Sequence, residues 1–209
     1  MKDPNYILDE LEKLYPDAHC ELNHTNPFEL LIATILSAQC TDVRVNKVTE
    51  NLFKKYNSAQ AFSDLSTEEI GEEIKSCGLQ KSKSHKIKDT SKILVQNYNG
   101  QVPNKLEELV KLPGVGRKTA NVVLSDAFNI PAIAVDTHVF RVSNRIGIVN
   151  CENVDKTEME LMRVIPKQRW SRSHHLLIFH GRRMCKARNP ECEQCPIKKE
   201  CKYFNLKKE

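Results

Sequence analysis

Apolar residues recur at helical spacing along most of this chain, and no segment alternates apolar and polar residues over the length of a strand. The segment 132–135 comes nearest to a strand, but it has only four residues after Pro131 and is better explained as an extended connector. Since a chain with this pattern buries its apolar stripes helix against helix, we predict an all-α fold of about nine or ten helices.

Capping residues predict where individual helices begin. Asn26 supplies a side-chain acceptor just before Pro27, which fits the first turn of a helix. Ser66 and Glu69 have the spacing of a capping box. By the same rules we predict further helix starts near Thr41, Asn104, Asp136, Asp155 and Ser171, and helices over 81–98 and 117–128.

The composition excludes several classes of protein. The chain has 209 residues, of which 40% are hydrophobic and 28% charged, an ordinary balance for a globular protein. Its longest nearly apolar run, residues 30–36, is far shorter than the roughly 20 residues of a membrane-spanning helix. The first residues contain no apolar signal core, so we expect a cytoplasmic protein with no membrane partner.

Positive charge is concentrated at the C-terminal end. The net charge is +5, but residues 166–209 hold 12 Lys and Arg against 4 Asp and Glu, and the rest of the chain is slightly negative. The same segment contains half of the eight cysteines. This combination indicates a metal site beside a polyanion. A solubilising tail with unrelated thiols is the alternative that the charge alone leaves open.

Residues 112–120 predict a tight turn between two helices that suits a phosphate group. Gly114 and Gly116 allow close approach of a ligand, because neither residue carries a Cβ. Their N–H groups face outward in such a turn, together with those of Arg117 and Thr119 in the next helix. Contacts of this kind position a DNA duplex without reading its sequence. An ordinary helix–helix turn is the alternative.

Lys118 and Asp136 stand at the starts of two predicted helices, and each has two explanations. The positive helix end and the neighbouring Arg117 both disfavour the ammonium form of Lys118, which favours a nucleophilic amine. A solvated or phosphate-contacting lysine is the plainer explanation, and sequence physics alone favours it. Asp136 is explained by a plain N-cap, or by a carboxylate that takes a proton from Lys118 or stabilises a sugar cation.

A compact cysteine cluster predicts a metal centre. Four thiolates in one short segment suit a [4Fe–4S] cluster, whereas zinc more often uses two Cys-x2-Cys pairs and disulfides are rare in the cytosol. Soft thiolates by themselves accept either metal. The four residues are Cys185, Cys192, Cys195 and Cys201. Lys186 and Arg188 lie in the first loop of the cluster, where a bound metal would hold them against a duplex backbone.

Three segments of the chain together resemble the helix-hairpin-helix DNA glycosylases that carry a Gly/Pro-rich loop and an aspartate. They are residues 112–121, 135–138 and 36–39. The cysteine spacing matches that of endonuclease III, so the resemblance narrows to that family, over about residues 20–204. It implies a [4Fe–4S] cofactor and a bifunctional DNA glycosylase and lyase that acts on double-stranded DNA with damaged, oxidised pyrimidines or abasic sites.

The resemblance also implies a role for each site residue. Lys118 attacks C1′ of the damaged nucleotide, the base leaves, and a Schiff base forms, from which β-elimination cuts the strand 3′ to the lesion. Asp136 serves the first step. The remaining roles are filling of the gap by Gln39, wedging between base pairs by Leu79, and lining of the pocket by Asp42 and His138.

The resemblance further implies two helical lobes with a DNA-binding groove between them. One is a six-helix barrel domain with the helix-hairpin-helix, over residues 21–133. The other is a helical cluster domain made of residues 1–20 and 134–209. We expect a monomer that is associated with the nucleoid through DNA binding.

Two other functions remain open. A monofunctional mismatch glycosylase of the same superfamily keeps the aspartate and the cluster, but adenine-specific members lack a lysine at the position of Lys118 and carry a further domain. A non-catalytic helix-hairpin-helix module would use Lys118 for phosphate contact alone. Gln80 and Lys81 replace the Tyr-Asn that endonuclease III often has, so the preferred lesion or opposite base is left open.

Overall fold

The structure is a computed structural model that describes residues 3–206, and within that range it contains helices and no strand, which confirms the all-α prediction. Its α-helices are α1 (Pro4–Leu14), α2 (Pro27–Leu36), α3 (Asp42–Lys55), α4 (Ala59–Asp64), α5 (Thr67–Ile74), α6 (Gln80–Tyr98), α7 (Leu106–Leu109), α8 (Arg117–Val122), α9 (Thr137–Ile146), α10 (Val154–Val164), α11 (Trp170–Arg183) and α12 (Lys202–Leu206). They outnumber the nine or ten predicted, because α4 and α12 span too few turns for an apolar period to show.

The described chain forms two compact units. The hairpin unit consists of residues 20–129 and contains α2 to α8. The cysteine unit consists of the residues up to His19 together with those from Ile130 onward. Whether they correspond to the domains 21–133 and 1–20 with 134–209 stays a prediction, and residues 1, 2 and 207–209 lie outside the described part.

Helix α2 is the most deeply buried helix of the hairpin unit. Nine of its ten residues are buried, and it packs against α3, α6 and α8. A helix that is apolar on all sides belongs in a core. Its start is as predicted, because the Asn26 side chain accepts a hydrogen bond from the Glu29 N–H at 2.9 Å and Pro27 occupies the first turn.

Helices α9 and α11 form the centre of the cysteine unit, and α1 packs against α11. Ile7, Leu8 and Leu11 of α1 are fully buried in a shared apolar core. Gly181 in α11 lets α9 approach closely, because a Cβ there would lie 3.0 Å from the Cβ of His138. This packing fixes the helix that begins after Asp136.

Three predicted helix starts are wrong. Lys105, not Asn104, precedes α7, and its side chain makes no capping hydrogen bond. Asn153 rather than Asp155 caps α10, since its side chain accepts from the Lys156 N–H at 2.9 Å. Ser171 lies inside α11, because the 3₁₀ turn Lys167–Arg169 leads directly into that helix at Trp170.

The helix predicted over residues 117–128 is confirmed as helical, but it is not uniform. After α8 it continues as a π-helical turn over Val123–Ala127. Such widened turns are frequent at functional sites. The residues 132–135 are extended without forming a strand, and Ile133 and Ala134 are fully buried, so the predicted connector is confirmed. None of the helices between residues 3 and 206 has the length and apolar character needed to cross a membrane.

Candidate functional site

The turn between α7 and α8 is anchored to the hairpin unit by apolar side chains and one hydrogen bond. Leu112 and Val115 are buried, and the Val115 N–H donates to the Leu112 carbonyl at 3.0 Å. The Thr90 hydroxyl of α6 donates to the Pro113 carbonyl at 2.8 Å. The turn therefore has one defined shape on a rigid support.

The two glycines of this turn differ in backbone conformation and in the space around them. Gly114 has a φ of +80°, and a Cβ there would lie 3.0 Å from the Lys86 side chain, so the fold itself requires glycine. Gly116 has an ordinary φ of −85°, and a Cβ there would meet nothing within 4 Å. Since the fold does not require glycine at 116, its bare backbone points to an external ligand.

Helix α8 begins without a side-chain cap. Gly116 stands at the N-cap position and offers no side-chain acceptor to the first turn. The first N–H groups of a helix have no acceptor within that helix, and the helix dipole makes this end positive. Gly116, Arg117 and Lys118 are all exposed. This start is therefore suited to an anion such as a phosphate.

Several charged groups of the hairpin unit act electrostatically on the thiol of Cys20. Burial raises the pKa of the Cys20 thiol to about 12; the carboxylates of Asp126 and Asp42 add to this effect, and Lys118 opposes it. The predicted pocket residue Asp42 and the predicted nucleophile Lys118 therefore act on the same partly buried thiol. Sequence analysis missed Asp126, whose available signal was a carboxylate amid the apolar residues of the 117–128 helix.

Asp136 caps α9 with one oxygen of its carboxylate. Its Oδ1 accepts hydrogen bonds from the N–H groups of His138 and Val139, both at 2.8 Å. Its Oδ2 lies 3.0 Å from Nδ1 of His138, and both side chains are partly exposed. The carboxylate is thus held in one orientation. The prediction that one oxygen suffices for capping is confirmed, and the structure brings Asp136 and His138 together.

Gln39 and Leu79 both lie in turns of the hairpin unit with a left-handed backbone. Gln39 has a φ of 55° and Leu79 a φ of 48°, which non-glycine residues rarely adopt. Both side chains are exposed, and Leu79 has 55% of its surface accessible. The prediction placed Gln39 at the end of its helix, whereas α2 ends at Leu36 and Gln39 follows in the turn. An exposed leucine is not needed by the core.

The same lysine holds both of these turns. Lys83 of α6 is buried, and its Nζ donates to the carbonyls of Leu36 and Cys77, each at 2.8 Å. Leu36 precedes the turn of Gln39, and Cys77 precedes the turn of Leu79. The structure therefore brings the two predicted DNA-distorting residues onto neighbouring turns.

The four predicted ligand cysteines line one cavity of the cysteine unit. The wall of this cavity also includes the apolar side chains of Ile146, Ile197 and Phe204. Burial raises the pKa of Cys195 to about 11, and its three cysteine neighbours add to the effect. Burial likewise raises the pKa of Cys201. Four thiols in one place, one buried and three partly buried, favour a metal that takes them as thiolates.

The donor set fits an iron–sulfur cluster, because four cysteine thiolates are the usual ligands of a [4Fe–4S] centre. Arg145 orients the site, since its guanidinium lies 3.8 Å from Sγ of Cys185 and donates to the Lys186 carbonyl at 2.8 Å. His180 is buried with Nε2 3.8 Å from Sγ of Cys195. His180, like His174, is a core residue.

The loop after Cys185 presents cations that differ in their surroundings. Lys186 pairs with Glu191 at 2.5 Å, whereas Arg188 is exposed. The Glu191 N–H donates to the Met184 carbonyl at 3.1 Å, which closes the loop. Arg188 is therefore the stronger of the two predicted phosphate contacts.

Comparison with known proteins finds the same combination of parts. A family model described as HhH-GPD superfamily base excision DNA repair protein matches residues 32–167, and the iron–sulfur binding domain of endonuclease III matches residues 185–201. Endonuclease III of Bacillus subtilis (strain 168) is 51% identical over 203 residues, which cover 97% of this chain and 93% of that protein.

Two solved structures are similar over nearly the whole chain. A non-covalent complex of endonuclease III with DNA has a TM-score of 0.93 and 52% identity, and covers 98% of this chain and 96% of its own. A trapped covalent intermediate of endonuclease III and DNA has a TM-score of 0.93 and 51% identity, and covers 98% and 97%. Hairpin, aspartate and cysteines thus occur here in a chain similar to proteins captured on DNA.

Proposed function

Because this chain belongs to the HhH-GPD superfamily of base excision DNA repair proteins, and within it to the endonuclease III family, we propose that Lys118 is its nucleophile and Asp136 its catalytic carboxylate. The chain is a DNA glycosylase and abasic-site lyase of base excision repair, it binds DNA, and it carries a [4Fe–4S] cluster. We propose that its four C-terminal cysteines hold this cluster. The roles of individual residues and the preferred lesion are our proposal.

The exposed position of Lys118 carries this proposal. Its side chain stands in the first turn of an uncapped helix, beside N–H groups suited to a phosphate. A nucleotide held there by its phosphate would present its sugar to the amine. The Lys118 Nζ attacks C1′, and the bond between C1′ and the base breaks, with its electron pair leaving on the base.

Strand cleavage follows from the covalent adduct. The adduct opens to a Schiff base, which acidifies the C2′ proton. Loss of that proton moves its electron pair into a C1′-conjugated double bond, and the C3′–O bond breaks on the 3′ side. We propose damaged, oxidised pyrimidines and abasic sites in double-stranded DNA as the substrates, because a poorly stacked lesion turns out of the duplex at a lower energetic cost.

Asp136 supplies the second group of the reaction. Two backbone N–H groups hold Oδ1, so Oδ2, beside His138, is the oxygen that accepts the proton of Lys118 or stabilises the positive sugar. His138 then positions the carboxylate.

The remaining residues hold the distorted duplex. Gln39 fills the gap left by the extruded nucleotide and Leu79 enters the base stack, which explains two exposed side chains on strained turns. Gly114, Gly116, Arg117 and Thr119 hold the backbone at the hairpin, and Arg188 and Lys186 hold it at the cluster loop. Asp42 lines the pocket. We further propose that the protein acts as a monomer in the cytoplasm, at the nucleoid.

Borohydride trapping on a duplex with one abasic site tests the nucleophile. Wild type is expected to form a covalent adduct, and Lys118→Ala is expected to bind the duplex but to form none, because the Schiff base needs the amine. Lys111→Ala is the matched control, since Lys111 is an exposed lysine of the same turn and is expected to trap normally. Trapping retained in Lys118→Ala would assign the nucleophile to another amine.

A further inference from the structure

A second pair of thiols lies away from the four cluster cysteines, between the turns of Gln39 and Leu79. Cys40 directly follows Gln39, and Cys77 comes two residues before Leu79. Cys40 is half-buried and Cys77 is buried, and each thiol acts electrostatically on the other. Lys83 joins the two segments, because its Nζ lies 2.8 Å from both the Leu36 and the Cys77 carbonyl oxygens. Neither takes part in the reaction proposed above.

Charged groups surround this pair. The ammonium group of Lys83, which donates to the Cys77 carbonyl, acts electrostatically on both thiols. Burial lowers the pKa of Lys83, and the two thiols oppose that shift. The guanidinium of Arg44 also acts on Cys77. Cations beside a sulfur stabilise its thiolate form, which is the form that attacks disulfides.

The residues next to the thiols are conformationally strained. A left-handed backbone is strained at an ordinary residue and persists only where the surroundings enforce it. Gln39 and Leu79 both have such a backbone. A covalent bond between Cys40 and Cys77 would therefore act on two turns that are already held out of their relaxed conformation.

We propose that Cys40 and Cys77 form a reversible disulfide that fastens the two turns to each other. The oxidant is a low-molecular-weight disulfide. The half-buried Cys40 attacks one of its sulfurs as a thiolate, forms a mixed disulfide and releases one small thiol. Cys77 then gives up its proton and attacks the Cys40 sulfur, which releases the second small thiol. The protein loses two electrons and two protons, and the small disulfide becomes two thiols.

The order of the two steps follows from burial. Burial raises the pKa of Cys77 to about 11, so Cys77 carries little thiolate and reacts second, with a sulfur already beside it. An S–S bond of about 2.05 Å is much shorter than a contact between two thiols, so the turns must move towards each other.

The effect on DNA rests on the proposed function. If Gln39 and Leu79 distort the duplex from these turns, fastening the turns misplaces both side chains. A misplacement of about an ångström can lower a rate roughly a hundredfold, and we expect trapping on duplex DNA to fall at least roughly tenfold.

Peptide mapping of the cluster-containing protein tests the bond itself. After treatment with oxidised glutathione and digestion with trypsin, wild type is expected to yield peptide 76–81 linked to peptide 14–44. Peptide 14–44 contains both Cys20 and Cys40, so fragmentation must assign the link to Cys40. Cys77→Ala is expected to stop at a mixed disulfide on Cys40, and Cys40→Ala to leave Cys77 unmodified. A wild type that keeps glutathione on Cys40 without the link would overturn the proposal.

Borohydride trapping before and after oxidation tests the consequence. Wild type is expected to lose trapping and to regain it with dithiothreitol, whereas Cys40→Ala and Cys77→Ala are expected to keep it. The visible absorption of the cluster in all three proteins reveals any loss of iron. A linked wild type that traps at its full rate would overturn the effect on DNA while confirming the disulfide. Failure of the reduced protein to trap would contradict the proposed function and not the bond.

Discussion

The helices that carry Lys118 and Asp136 begin in opposite ways. Helix α8 follows Gly116 and has no side-chain cap, so its first N–H groups are offered to a ligand. Helix α9 follows Asp136, whose carboxylate accepts two backbone N–H groups of the first turn. The first start is suited to binding an anion from outside, and the second fixes an anion of the protein itself.

The same physical cause explains both starts. The N-terminal end of a helix carries a partial positive charge and attracts anions. At α9 that group is the carboxylate of Asp136, which the helix end holds in one orientation beside His138. At α8 we propose that the anion is a phosphate of the DNA backbone. On this proposal, one helix end binds substrate and the other positions a catalytic group, although the two use the same interaction.

Replacing Asp136 separates its capping role from its proposed catalytic role and has the largest expected effect. Asp136→Asn keeps an acceptor for the first turn but loses the charge, so we expect trapping to slow by about 10²–10³-fold with little change in stability. Asp136→Ala loses both, and its free energy of unfolding is expected to fall by about 1 kcal/mol as well. Single-turnover trapping and urea unfolding measure the two effects. An Asn variant as fast as wild type would show that Asp136 is only a cap.

The residues that cap the helices could be predicted from the sequence only in part. Asn26 and Ser66 cap their helices as expected, because acceptor side chains act on N–H groups two or three residues away. Asn153 and Asp155 are both good caps by that local rule, and the sequence could not choose between them. The choice falls to Asn153 in the folded unit.

Long-range contacts account for what the sequence missed. The cysteine spacing predicted a metal site because all four candidate ligands lie in one short segment. Buried Lys83 donates to the carbonyl of Leu36, which lies 47 residues earlier in the chain. No local sequence pattern predicts this contact. The nearness of Lys118 to Cys20 has the same origin. The sequence therefore gives candidate residues for the site but not the neighbours that determine their environment.

Replacing the two hairpin glycines with alanine tests whether the uncapped start of α8 binds a phosphate. The expected effect on DNA binding is smaller than the effect of Asp136→Asn on trapping. Gly116→Ala meets no neighbour and has an ordinary φ, so we expect unchanged or slightly raised stability. Binding to duplex DNA is expected to weaken roughly tenfold, because the new methyl group keeps a phosphate from the backbone. Fluorescence anisotropy with a labelled abasic-analogue duplex measures this affinity.

Gly114→Ala is the matched control for that substitution. Its φ of +80° and the 3.0 Å approach to Lys86 predict a loss of about 1–2 kcal/mol in the free energy of unfolding. Both variants add the same methyl group, but Gly116→Ala is expected to weaken DNA binding and Gly114→Ala to lower stability. Unweakened DNA binding by Gly116→Ala would argue against a phosphate at this helix start.

An ordinary cap in the same unit as Asp136 gives the smallest expected effect on activity. Asn153 caps α10 through its side chain, and its N-cap role is the only one that we assign to it. Asn153→Ala is expected to lower the free energy of unfolding by about 1 kcal/mol, as Asp136→Ala does, while trapping stays at the wild-type rate. If trapping slowed in step with stability in Asn153→Ala, the loss seen at Asp136 would follow from weakened folding of the cysteine unit. Equal rates for Asn153→Ala and wild type would leave the charge of Asp136 as the cause.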